Sequence, residues 1–218
     1  MLRRIGRIAA LLSLACPAAA AAEPPKIPST PYEWHNVVIG GGGFSPNLIF
    51  SPAEKGLAYL RTDVGGAYRW DAQAQRWIPL QDAMWQNSYF GVESIAADPK
   101  DPNVVYLAAG MYYGAPAAFL RSADRGKSWQ VTDAPLKMGG NEDGRGMGER
   151  LAVDPNRTST LFFGSRHDGL WRSDDGAMSW HKVESFPWKG LGAPRPRQTH
   201  GGLSFVVFDP ATARAGGG

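Results

Sequence analysis

The feature that most restricts this fold is a repeat with a period near fifty residues. Ser122-Ala-Asp124-Arg-Gly126-Lys-Ser128-Trp129 and Ser173-Asp-Asp175-Gly-Ala177-Met-Ser179-Trp180 both fit S-x-D-x-G-x-[ST]-W, the Asp-box, the second with Ala177 in the glycine position. Their tryptophans are 51 residues apart, and a degenerate copy places Trp77 52 residues ahead of Trp129. A second element keeps step: Ile95-Ala-Ala-Asp98-Pro99, Leu151-Ala-Val-Asp154-Pro155 and Val206-Val-Phe-Asp209-Pro210, with an earlier relative in Leu48-Ile-Phe-Ser-Pro52. Each has an apolar strand pattern, and the middle two are followed by another, Val104 to Leu107 and Thr160 to Phe163. A unit of about four short strands every fifty residues predicts an all-β fold of β-propeller blades. Three blades and the start of a fourth are accounted for over 34–210.

The box has a physical purpose. Its Asp can accept loop amides, its Gly takes a backbone angle that other residues resist, and its Trp packs beneath the turn. Ser122, Asp124, Gly126, Trp129, Ser173, Asp175 and Trp180 are therefore read as structural. They indicate architecture and no substrate.

Composition matters mainly at the ends. Arg3, Arg4 and Arg7 precede an apolar run, Ile8 to Ala22, that ends in small residues. Residues 1–22 read as a Sec signal peptide, and 23–33 as a linker, so the mature protein is expected to be secreted or periplasmic with no membrane anchor. The signal removes three arginines and no acid, and the formal charge of +3 falls to 0. That leaves no electrostatic case for a nucleic-acid partner. Cys16, the single cysteine, leaves with the signal, so no disulfide or thiol chemistry is expected. The tail 211–218 is low-complexity and lacks a strand pattern. It suggests that the propeller continues beyond this chain.

The segment Gly139 to Gly148 is glycine-rich, but a strand pattern (Arg150 to Val153) follows it, and a phosphate loop would be followed by a helix. It is read as a loop, with Asn141 and Arg145 as candidate hydrogen-bonding residues. His35, His167, His181 and His200 have no ligand spacing, so no metal and no cofactor are expected. Trp85, Tyr89, Tyr112, Tyr113 and Trp188 lie in the longer stretches between strands, where binding residues concentrate, and are candidate stacking platforms. Phe90 and Trp171 read as core. Thr62-Asp63-Val-Gly65-Gly66 is a good turn sequence, in which Asp63 either caps the loop or does chemistry. Arg61 and Arg69 flank it, and either is a candidate to hold the carboxylate ionised.

Several ordered stretches resemble glycoside hydrolase family 74. They are Gly40-Gly-Gly-Gly-Phe44 with Leu57 to Trp70, Trp77-Ile-Pro-Leu80 with Gly91-Val-Glu-Ser-Ile95, Gly139-Gly-Asn141 with Gly144 to Arg150, and Gly169-Leu-Trp-Arg-Ser173. The resemblance implies an inverting hydrolase of xyloglucan or related β-1,4-glucans, with two propellers around a substrate cleft and a monomeric complete form. It implies that Asp63 is the general base and that the general acid lies in the second propeller, outside these residues. With a polysaccharide as partner, Trp85, Tyr89, Tyr112, Tyr113 and Trp188 are the candidates to stack on sugar faces, and Asn141 and Arg145 the candidates to hydrogen-bond sugar. The competing reading is a non-catalytic propeller that binds a glycan or a protein. A sialidase would need an Arg cluster and a Tyr–Glu nucleophile pair, and commonly carries an Arg-Ile-Pro motif ahead of its first box, which this chain lacks.

Overall fold

The computed structural model describes residues 31, 33–34, 36–190 and 202–209. The chain divides into Met1–His35 and Asn36–Gly218, and the architecture described here is that of the second unit. The expected signal (1–22), most of the linker and the tail (211–218) lie outside the described residues.

The fold is all-β and partial-propeller-like: three four-stranded antiparallel meanders, one per sequence repeat. The first contains β1 (Asn47–Phe50), β2 (Ala58–Arg61), β3 (Ala67–Asp71) and β4 (Arg76–Pro79). A 3₁₀ turn, Asn87–Phe90, leads into the second. That sheet contains β5 (Val92–Ala97), β6 (Val105–Ala109), β7 (Ala118–Ser122) and β8 (Gln130–Asp133). The third contains β9 (Leu151–Val153), β10 (Leu161–Gly164), β11 (Leu170–Ser173) and β12 (His181–Lys182).

The middle sheet explains its own sequence. All five residues of β6 are buried. Alternate side chains of a strand point to opposite faces, so a sheet covered on both sides needs apolar residues at every position. Val105, Leu107 and Ala109 pack toward Tyr59 of the first sheet and Leu57 just before β2, while Tyr106 and Ala108 pack toward Leu161 and Phe163 of the third.

Both Asp-boxes close their hairpins with the same bonds. Asp124 Oδ1 accepts from Ser128 N (2.9 Å) and Ser122 Oγ (2.7 Å), and Oδ2 accepts from Ser128 Oγ (2.6 Å). Asp175 Oδ1 accepts from Ser179 N (2.9 Å) and Ser173 Oγ (2.9 Å), and Oδ2 accepts from Ser179 Oγ (2.5 Å). These donors, Ser128 foremost, pull the Asp124 carboxyl down to about 2. Ala177 has a positive φ of 71° where the first box has Gly126 at 84°. Each box Trp leans on the sheet before its own: Trp129 Nε1 donates to Leu80 O (2.8 Å), and Trp180 stacks on Phe119 at 3.9 Å. The degenerate copy keeps only part of this. Asp71 Oδ1 accepts from Gln73 N and Ala74 N, both at 3.0 Å.

The expected opening strand of a fourth blade is not formed. Residues 203–209 carry no strand. The segment is held by Leu203 N to Ser165 O (3.1 Å) and Val206 N to Glu149 O (3.1 Å), too sparse a pattern to make a ladder. Among the described residues no helix is long and apolar enough to cross a membrane.

Candidate active site

Antiparallel pairing puts two kinds of connection at opposite ends of each sheet. The Asp-box hairpins lie at one end. At the other lie the β2–β3 turn with Asp63, the β4–β5 connection with Trp85 and Tyr89, the β6–β7 turn with Tyr112 and Tyr113, and the β8–β9 loop with Asn141 and Arg145.

The turn after β2 is closed by Thr62, whose N–H and Oγ1 both donate to Gly66 O (2.9 and 2.8 Å) and whose Oγ1 accepts from Gly65 N (2.8 Å). The four-glycine run lies directly on it. A Cβ at Gly41 would fall 1.9 Å from Tyr68 Oη, and one at Gly65 would fall 2.1 Å from Gly42 O, so only glycine permits this approach. The run ends at Phe44, whose N–H donates to Asp63 Oδ1 (2.8 Å) and whose carbonyl accepts from Asp63 N (3.1 Å).

Asp63 Oδ2 faces Arg145, with Nε at 3.0 Å. The contact is an ion pair and lacks hydrogen-bond alignment, since Arg145 Nε has no hydrogen-bond partner among the described residues. The Arg145 guanidinium also lies over the Phe44 ring, 5.5 Å from its centroid. The Asp63 side chain is 7% exposed and that of Arg145 33%. The arginine beside Asp63 is therefore Arg145, and neither Arg61 nor Arg69 has that place.

Arg61 has a different task. It is fully buried, and its Nε donates to Glu149 Oε1 at 2.7 Å. Its other nitrogens donate to Val92 O and Arg145 O (both 3.2 Å) and Met147 O (3.0 Å). Glu149 also accepts from Asn47 Nδ2 (2.9 Å), Ser94 Oγ (2.6 Å) and Ile95 N (2.6 Å). Beneath the β8–β9 loop, buried Glu93 of β5 accepts from Arg166 Nε and Gly139 N, both at 2.7 Å, with Arg150 Nε at 3.5 Å. Burial pushes the Glu93 carboxyl up, but Arg166, Arg150 and the Gly139 N–H outweigh it, and the net shift is downward. Burial likewise pushes Arg150 down, to about 10. Sequence reasoning missed Glu93 and Glu149 because their partners lie far away in the chain.

A second group forms beside the first. Asn141 Nδ2 donates to Tyr112 Oη (2.8 Å), Tyr113 N donates to Glu142 Oε1 (2.7 Å), and His167 meets the Tyr113 ring edge-on at 4.7 Å. Tyr112 is 50% exposed, as a stacking platform requires. Tyr89 is only 9% exposed and packs in the core with Leu80 and Leu120, a correction to its reading as an open platform, although it also lines the groove beside Trp85. Trp85 is 88% exposed and lines a groove with Lys127, Trp129 and Val131, outside the Asp63 cluster. Trp188 is half-buried beside the β10–β11 turn, where its carbonyl leaves no room for a Cβ at Gly169. Trp171 packs against the core as expected. Among the described residues no group of three His, Cys, Asp or Glu is placed to hold a metal ion.

Sequence and structure comparison decides the relationship. The chain is 52% identical over 202 residues to xyloglucanase Xgh74A of Acetivibrio thermocellus, a match covering 87% of this chain and 24% of that protein. It superposes on the crystal structure of the GH74 xyloglucanase from Xanthomonas campestris with a TM-score of 0.72 at 49% identity, over 85% of this chain and 28% of the other. The chain belongs to glycoside hydrolase family 74. A further match is the oligoxyloglucan-reducing end-specific xyloglucanase of Emericella nidulans, 45% identical over 182 residues, covering 82% of this chain and 22% of that protein. No family profile matches the chain. The chain spans about a quarter of the length of the curated relatives it matches.

Proposed function

We propose that this chain is part of a secreted, inverting β-1,4-glucan hydrolase acting on xyloglucan or related plant cell-wall glucans, with Asp63 as general base. The observation that carries this reading is the 52% identity to a xyloglucanase along 87% of the chain. The geometry is compatible with it. Asp63 Oδ1 is fixed by a backbone amide, which orients the carboxylate, and Oδ2 is directed toward a partly exposed side chain.

Inverting hydrolysis needs two carboxyl groups, roughly 6.5–9.5 Å apart, one to protonate the leaving oxygen and one to draw a proton from the attacking water. Asp63 supplies the second role. The acid comes from a part of the family fold that is not among these residues, across a cleft between two complete propellers. Tyr112, Tyr113, Asn141, Arg145, Trp85 and Trp188 are the proposed glucan contacts, through ring stacking and hydroxyl hydrogen bonds. The complete enzyme is read as a monomer that needs no cofactor.

The test is Asp63→Ala in a chain extended through the second propeller, assayed by reducing-sugar release from xyloglucan and by glucan binding. Lost hydrolysis with retained binding supports the enzyme. Unchanged behaviour in both assays favours the non-catalytic glycan- or protein-binding propeller.

A further inference from the structure

We infer that Arg145 is a hinged cover on Asp63, a positioning residue that occupies the one carboxylate oxygen left over by the backbone and so rests the site in a closed state. Asp63 Oδ1 is committed to Phe44 N, and Gly43 closes that side, where even a Cβ would come within 2.9 Å of the oxygen. Oδ2 is the oxygen with no backbone bond, and Arg145 Nε lies 3.0 Å from it. The exposures show which group shields which, with 33% of the Arg145 side chain reached by solvent against 7% of Asp63.

The cover has a fixed pivot and a loosely held arm. The Arg145 backbone is pinned at both ends, its N–H donating to Glu142 O (3.0 Å) and its carbonyl accepting from Arg61 Nη1 (3.2 Å). Arg61 is itself buried and locked to Glu149, so the pivot belongs to the rigid interior. The guanidinium has weaker ties: an unaligned ion pair to Asp63, a face contact with exposed Phe44, and a 3.5 Å approach of Nη1 to Glu142 O. The arm is the more exposed partner and its ties are few, so it can swing out while the Arg145 backbone stays pinned. A guanidinium has donors only and cannot relay a proton, so a water that gives its proton to Oδ2 must take the place the guanidinium holds. Opening is therefore a step that precedes the chemistry. The inference rests on the hydrolase reading only for what Asp63 does once uncovered.

The test needs no catalysis. The full chain is treated with a carbodiimide and glycine ethyl ester, and labelling at each carboxyl is located by mass spectrometry. Asp63 is expected to be nearly unlabelled in the wild type and labelled several-fold more in Arg145→Ala, with Asp124 and Asp175 unchanged. Arg145→Lys, which restores a cation, is expected to restore protection. In the proton–nitrogen spectrum, Asp63→Asn is expected to speed exchange of the Arg145 Nε–H with water. Unchanged Asp63 labelling in Arg145→Ala overturns the inference, as does a rise shared equally by Asp124 and Asp175, which reports general loosening. Lysine labelled as freely as alanine overturns the counter-ion role. None of these outcomes depends on whether Asp63 proves to be the general base.

Discussion

Arg61 and Glu149, 88 positions apart in the chain, meet through Nε and Oε1 at 2.7 Å, and the arginine has no solvent exposure. This pair joins the first sheet to the start of the third. It also fixes the loop that carries Arg145, because two more Arg61 bonds go to carbonyls of that loop, Arg145 O and Met147 O. Replacing Glu149 with Gln leaves a buried guanidinium without its counter-charge, which typically costs about 3–5 kcal/mol. Urea unfolding followed by tryptophan fluorescence should show a loss of that size. A midpoint close to that of the wild type would mean that the pair contributes little.

The Asp-box carboxyl at Asp124 sets an acid limit. Its value is lowered from 3.8 to about 2 by the Ser128 and Ser122 hydrogen bonds. A carboxyl depressed by folding stabilises the native state above its unfolded value, and that contribution disappears as pH falls through the folded one. The expected outcome is a loss of stability between about pH 4 and pH 2, partly removed by Asp124→Asn. Denaturant midpoints measured across that window for the two proteins would settle it, and parallel curves would refute it.

His167 acts in a higher window. Its ring is 8% exposed, neither nitrogen has a hydrogen-bond partner among the described residues, and burial pushes it below its ordinary 6.5. Glu142 and Glu93 oppose that shift, while Arg166 adds to it. The unfolded chain thus accepts a proton that the folded one refuses, and stability declines as pH falls below about 6.5 toward the lower folded value. His167→Phe, which keeps the edge-on contact with Tyr113, should flatten that slope. A slope that survives the substitution assigns it to another group.

Gly126 and Ala177 occupy equivalent box positions but tolerate different side chains. A Cβ at Gly126 would meet Leu80 carbons at 2.8 and 2.9 Å, at a φ of 84°. Gly126→Ala combines left-handed strain with overpacking and should destabilise the chain by at least about 2 kcal/mol. Thermal unfolding monitored by circular dichroism would measure it, and a shift in Tm of under a degree would contradict this steric account.

Much of the fold was legible because its determinants are local. The turn bonds of each box fall within eight residues, so Ser122 to Ser128 carries its own geometry in one short string. The candidate site was legible only in part. The Thr62–Gly66 turn is local, but the partners of Asp63, Arg61 and Glu93 come from the β8–β9 loop and beyond, and spacing cannot indicate which arginine of several arrives. Tyr89 misled for a related reason. It lies in a connection between strands, but burial is decided by what packs over it, here Leu80 and Leu120. Val206 to Phe208 has the composition of a strand, but a strand exists only when a neighbour completes its ladder.

The bond from Trp129 to the carbonyl of Leu80 has a consequence for how the molecule is made. It reaches backward, from a later sheet to an earlier one, and Trp180 on Phe119 repeats the direction. During synthesis, each new unit therefore finds its anchor already outside the ribosome, and each finished unit waits for its successor before its last seam is shut. Order can then spread from the amino end during synthesis, like overlapping tiles laid up a roof.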